Sequence, residues 1–325
     1  MRLFSGNKEY KQYVYNSEEE FEQDVILNSK KLFGEKTIYI DVKKKLKGKF
    51  GEGTIPDGYL FDYTFTDKPK LYFVESERII HGVREHIVPQ LLKFKLSYKN
   101  NMMLLKNILI EKIEEQGIKI DEIAKSYNYR NSDDMFSDII SKDDLNIIVP
   151  IDEVTEELIE CVSYLNLKIE LREFKKFVCG DSSLFLFEPL NEEIEEVAKT
   201  LNIKNGELDT IIVAAQDEGF EKEFIGNSCW FPVSIGIGML DKLKYIVSYR
   251  KAPIKALTHY AEISNIELYK DTGKYIIYFK DKPKKLARQI PLNDANPNHA
   301  PQPRVYTSFE KIVEANEKTT LDDLY

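Results

Sequence analysis

Residues 54–94 read TIPDGYLFDYTFTDKPKLYFVESERIIHGVREHIVPQLLKF, and their carboxylates are the centre from which the chain is interpreted. Asp57 sits in a Pro-Asp-Gly turn that opens an apolar strand, expected over Ile55 to Phe65. Leu71 to Glu77 reads as the next strand, with two carboxylates in its second half. Period-2 alternation puts Phe73, Glu75 and Glu77 on one face and Tyr72, Val74 and Ser76 on the other. A helix is expected from about His81 to Tyr98. Pro89 must kink that helix or lie near its start, because an interior proline costs about 3 kcal/mol. His86 lies four residues before Gln90 and shares its face wherever the helix is regular.

Three acceptor-only carboxylates suit a hard cation, Mg²⁺ or Mn²⁺, rather than zinc. Such an ion polarises a phosphodiester, lowers the pKa of a bound water and stabilises the leaving oxygen. Glu75 and Glu77 lie about 7 Å apart along a strand, a gap that side chains can close around one ion or a pair. Each piece alone has an ordinary explanation: a turn, an exposed strand edge, a surface histidine. Their order and spacing carry the reading.

Working outward, Ser17 and Glu20 resemble a capping box opening a helix that runs to Gly34. Phe21, Val25, Leu32 and Phe33 form its apolar face, with Glu22 beside that stripe. Thr37 to Val42 is a β-branched strand, and Lys43 to Gly53 turns the chain. The order so far is α-β-β-β-α. Residues 100–141 read as a polar helical insertion broken near Gly117. Ile120 to Tyr129 has a faint helix-turn-helix look, but an inserted hairpin that packs or pairs accounts better for it. Leu145 to Ile151 is a buried-strand run. A helix at Glu156 to Leu165 follows, then a hairpin, Lys168–Val178 and Ser183–Phe187, turning at Cys179-Gly-Asp.

The 325 residues imply two domains or three. No run of apolar residues is long enough to span a bilayer, and the N-terminus lacks an apolar signal core. Three dispersed cysteines give neither a disulfide framework nor zinc-ligand spacing. A cytoplasmic protein without membrane partners is the expectation. The net charge of −9 disfavours a protein that coats DNA through many phosphate contacts. Local basic patches at Lys43–Lys49 and Lys280–Arg288 remain compatible with a nuclease, although each alone reads as a solvated hairpin tip.

With Asp57 after a proline, Glu75-x-Glu77 on the following strand and the α-β-β-β-α order, residues 17–188 resemble the PD-(D/E)XK nuclease superfamily. That resemblance implies an α/β (α+β) restriction-endonuclease-like αβββαβ core, with Asp57 and Glu75 as metal ligands. Glu77 stands where lysine usually orients the attacking water; some restriction endonucleases of the superfamily carry Glu there. Glu22 matches a carboxylate that many members supply from their first helix. Gln90-Leu-Leu-Lys-Phe94 resembles the Gln-x-x-x-Tyr motif of the RecB-like branch, with Phe for Tyr. Lys93 is a further, weaker source of positive charge. The implied set is Asp57, Glu75, Glu77 and Glu22 for metal, with Gln90 and His86 completing the catalytic site.

Residues 189–206 read as a charged linker between a first domain, 1–188, and a second, 207–325. Short strands are expected there at 209–214, 245–250, 259–269 and 274–280, with a partly helical stretch from Val305 to Asn316. The pattern is similar to PUA-like barrels, the group containing EVE and ASCH domains. Several of these bind nucleic acid, and some hold a modified base in an aromatic pocket. Trp230, Phe231, Tyr249, His259 and Tyr260 are the candidates for such a pocket, with barrel core the competing role for the apolar ones. The pairing implies a Mg²⁺- or Mn²⁺-dependent DNA endonuclease directed to modified DNA. The alternative is an inactive nuclease fold that binds nucleic acid or a protein. A homodimer formed through residues 100–141 fits either reading.

Overall fold

A computed structural model describes residues 1–42, 56–100, 102–142, 145–165, 167–302 and 304–325. The Lys43–Lys49 patch therefore lies outside the described residues. The chain divides into two compact units, Met1–Leu190 and Asn191–Tyr325, each mixed α/β around its own sheet.

The first unit has an eight-stranded mixed sheet. β1 (Arg2–Ser5) and β2 (Lys8–Gln12) form an edge hairpin. α1 (Glu18–Leu27) follows, with the Ser17 side chain accepting the Glu20 N–H at its start. The helix expected to continue to Gly34 instead breaks at Asn28. There the side-chain amide donates to the Asp24 carbonyl, and the chain restarts as α2 (Ser29–Phe33). β3 (Thr37–Asp41), β4 (Gly58–Asp62) and β5 (Lys70–Val74) form an antiparallel meander.

The connection from β5 to the parallel strand β6 (Asn146–Ile151) is long, as parallel pairing requires. It begins with a 3₁₀ turn (Ile79–His81) and a π turn (Val83–Ile87). α3 (Val88–Asn100), α4 (Met102–Glu115), α5 (Ile120–Ser126) and α6 (Ser132–Lys142) follow. The continuous helix expected from His81 is thus divided. Pro89 falls in the first turn of α3, where its missing N–H costs nothing. Residues 100–141, expected as an inserted helical segment that packs or pairs, pack on the sheet. Leu105, Leu109, Ile113, Ile120, Met135, Phe136 and Ile139 pack in one core with Ile38, Phe61, Phe73 and Ile147 of the sheet. These side chains are buried within the unit. α7 (Glu156–Ser163) leads to β7 (Lys168–Cys179), parallel to β6, and β7 turns back through Gly180 (φ +56°) into β8 (Ser182–Phe187).

In the second unit, residues 191–206, expected as a linker, hold α8 (Glu192–Thr200), with Ile194, Ala198 and Leu201 buried. An apolar stripe inside an acidic segment explains the difference. The seven-stranded sheet runs β10 (Cys229–Val233), β13 (Tyr275–Phe279), β12 (Ala256–Leu268), β11 (Tyr245–Arg250), β9 (Thr210–Ala215), β15 (Arg304–Thr307). β14 (Lys284–Pro291) pairs with the first half of β12 and β13 with its second half, so one bent strand serves two neighbours. β9 and β11 are parallel. The sheet is a curled half-barrel, open between β10 and β15 among the described residues. Helix α9 (Phe309–Val313) occupies part of the stretch expected to be helical, after β15.

Candidate functional site

Asp57 and Glu75 meet because of strand pairing. Gly58 is opposite Val74 in the β4–β5 ladder, so the residue before β4 lies across from the residue after β5. The Asp57 backbone N–H donates to Glu75 Oε2 at 3.1 Å, and the Ser76 N–H donates to Asp57 Oδ2 at 2.9 Å. Each carboxylate is thus held by backbone of the other strand. Both are buried, at 2% and 1% exposure. Gln90, in the first turn of α3, donates its side-chain amide to Glu75 Oε1.

A third carboxylate arrives from α1. Glu22 is 6% exposed, and its charge acts with those of Asp57, Asp41 and Glu75 on the buried hydroxyl of Tyr39. Burial first, then these four carboxylates, push that phenol well above its ordinary range. The Tyr39 ring covers Gly58 so closely that a β-carbon there would collide with the hydroxyl. The hydroxyl itself is buried with no hydrogen-bond partner among the described residues. Oxygen donors gathered round such a group are the donor chemistry of a hard divalent cation, so Asp57, Glu75 and Glu22 fit Mg²⁺ or Mn²⁺.

Glu77 lies beyond the regular part of β5 yet stays extended. The Glu75 N–H donates to the Ile148 carbonyl and the Glu77 N–H to the Pro150 carbonyl, so the parallel ladder continues with Glu75 and Glu77 on one face. Pro150 joins this extension through its carbonyl alone, having no N–H to donate. Glu77 is fully buried, between His81 (Nδ1 to Oε2, 3.6 Å) and His86 (Nε2 to Oε1, 3.7 Å). His81 Nδ1 also lies 3.5 Å from Glu18 Oε2. Gly82, at φ +85°, turns the chain between the two histidines, and the Asp152 carboxylate accepts the Ile79 N–H to seat the turn before it. The π turn breaks the helical phase between His86 and Gln90, so the first reaches Glu77 and the second Glu75. Lys93 is exposed on α3 and does not join this group.

The structure therefore brings Asp57, Glu75 and Gln90 to one place, and Glu77 with His86 to the adjoining one; Glu22 is buried on α1, and its charge is felt at Tyr39. Sequence reading missed Tyr39, Glu18 and His81. Glu18 is one helical turn before Glu22, a spacing that was a usable signal.

In the second unit the five aromatic candidates do not converge. Consecutive strand residues face opposite ways, which separates Trp230 from Phe231 and His259 from Tyr260. Tyr249 is 3% exposed in a core with Val247, Leu257, Ile290 and Leu321. Phe231 stacks on Tyr269, and Tyr260 lies against Phe309, which stacks on Tyr245. Trp230 and His259 do share a neighbourhood. The irregular turn at residues 217–226 carries Phe220 and Phe224, whose rings touch each other; Phe224 contacts Trp230 and Phe220 contacts His259. Arg250 lies over the Phe220 ring at 4.3 Å and pairs with Asp217 at 2.8 Å. Burial first, then Lys285 and Arg250, hold the His259 imidazole below its ordinary pKa.

Compared with protein-family models, with curated proteins and with solved structures, the chain matches none. Among the described residues no helix is long and apolar enough to cross a membrane.

Proposed function

We propose that the chain is a Mg²⁺- or Mn²⁺-dependent DNA endonuclease of the PD-(D/E)XK type, with its second unit, of PUA-like type, directing it to DNA that carries modified bases. The observation that carries this reading is the reciprocal hold of Asp57 and Glu75 across two strand ends, with Gln90 fixed on Glu75. The order α1–β3–β4–β5–helix–β6, with β6 parallel to β5, is the order that the nuclease resemblance implies. The bound cation would polarise the scissile phosphate and acidify a water. The chain's own residues bind that ion through Asp57, Glu75 and Glu22, and Gln90 orients Glu75. Trp230 and His259 are the pair best placed to meet an extruded base, since base faces are read by stacking and edges by polar groups.

A second reading is favoured by one observation. Glu77, at the position where the family usually has lysine, lies between His81 and His86. On that reading the fold binds nucleic acid without cutting it.

The test is incubation of the purified chain with plain, methylated and hydroxymethylated DNA in Mg²⁺ or Mn²⁺. Cleavage of a modified substrate that disappears in Glu75→Ala is the expected outcome. Binding without cleavage on every substrate would select the second reading, and cleavage retained in Glu75→Ala would move the site elsewhere.

A further inference from the structure

Glu18, His81 and His86 each place one ligand atom so that all lie within 4.8 Å of one another. Glu77 stands beside this trio, with Oε2 3.6 Å from His81 Nδ1 and Oε1 3.7 Å from His86 Nε2. These separations are too long for N–H···O hydrogen bonds, which reach about 3.2 Å. They are close to the edge of a coordination tetrahedron, about 3.3–3.4 Å for metal–ligand bonds near 2.0–2.1 Å. His81 Nδ1 is a buried atom with no hydrogen-bond partner among the described residues. An imidazole nitrogen of that kind, facing two carboxylates at 3.5 and 3.6 Å, is a ligand atom in search of a cation.

We propose that Glu18, Glu77, His81 and His86 form a second metal site, selective for a borderline first-row cation of the Zn²⁺ class. The donor set decides the class. Two imidazoles with two carboxylates suit Zn²⁺ or Co²⁺, whereas Mg²⁺ favours oxygen donors and water. Two carboxylates also neutralise a divalent charge when both histidines bind as neutral ligands.

The site is separate from the Asp57–Glu75 group by construction. Glu18 and Glu22 are one turn apart on α1, about 5.4 Å along the axis. Glu75 and Glu77 are two residues apart on an extended strand, about 7 Å. Two rungs spaced this way are wider than the ~4 Å of a two-metal phosphodiesterase clamp. The Zn²⁺-class ion thus binds next to the oxygen site and joins α1, the end of β5 and the turns at 79–87. The inference does not depend on DNA cleavage.

The experiment uses the full chain, stripped with chelator and titrated with Zn²⁺ or Co²⁺ in excess Mg²⁺. One equivalent is expected to bind, with the intense visible absorption of four-coordinate Co²⁺ and a raised unfolding midpoint. His81→Ala and His86→Ala should each weaken binding at least ten-fold. Glu18→Gln, at an accessible helix start, should do so without loss of circular dichroism. Asp57→Asn should leave the stoichiometry at one equivalent. Absence of a stoichiometric Zn²⁺ site in the wild-type chain would overturn the proposal. So would binding that survives the histidine variants, or that is lost in Asp57→Asn.

Discussion

The carboxylate end of the first sheet and the aromatic face of the second are built on different principles. In the first, side chains converge because elements end together. β4 begins where β5 finishes, β6 runs parallel beside β5, and α1 and α3 lay a turn each over the same edge. In the second, aromatic residues sit mid-strand on a curled sheet, and alternation sends neighbours to opposite faces. Strand ends concentrate functional groups; strand interiors distribute them. Only the irregular turn at 217–226, which interrupts the second sheet's regularity, gathers two of its candidates.

The largest test of this contrast is Asp57→Asn. On the proposed reading, loss of a metal ligand removes several kcal/mol of transition-state stabilisation, a cleavage loss of about 10²–10³-fold. Folding stability should hold or rise, since a buried charge is removed. A large loss of stability would instead make the pair structural. Next comes Tyr249→Ala, which should cost about 3 kcal/mol in urea unfolding because it empties a core position. Trp230→Ala, only half-buried, should cost less; equal costs would erase the distinction between core and candidate pocket. Gln90→Ala should lower divalent-cation affinity at the Asp57–Glu75 site about ten-fold, as removal of a ligand's supporting hydrogen bond commonly does. Titration followed calorimetrically would show it.

The smallest expected effect is a pH dependence. His259 has a folded pKa held below its ordinary value, so the unfolded chain binds the proton more readily. Stability from this group is full above the unfolded value of about 6.5 and is lost as pH falls through it toward the folded value. His259→Asn should flatten that part of the profile, measured by unfolding between about pH 8 and about pH 5. An unchanged slope would remove His259 from the account.

How far the sequence revealed these regions follows from the same contrast. Asp57 and Glu75 were legible because their positions are tied to backbone: a turn before one strand and the end of the next. Glu22 was legible as a carboxylate beside an apolar stripe. The pairing of Glu77 with two histidines was not, because it depends on Gly82 and a π turn, whose effect on helical phase no periodicity reports. The five aromatics of the second unit share a composition, and composition does not say which face of a strand a ring occupies. Residues 100–141 looked polar in aggregate, yet Phe136, Met135 and Leu109 are buried against the sheet, which only the tertiary pairing of their sparse apolar positions discloses.

Helix α1 carries Glu18 toward the histidines and Glu22 toward Asp57 and Glu75. A rod that touches two sites makes them thermodynamic partners. On the proposed readings, an occupant that shifted α1 at one end would alter affinity at the other by the same factor in both directions. Ser17, whose hydroxyl accepts the Glu20 N–H, fixes where that rod begins.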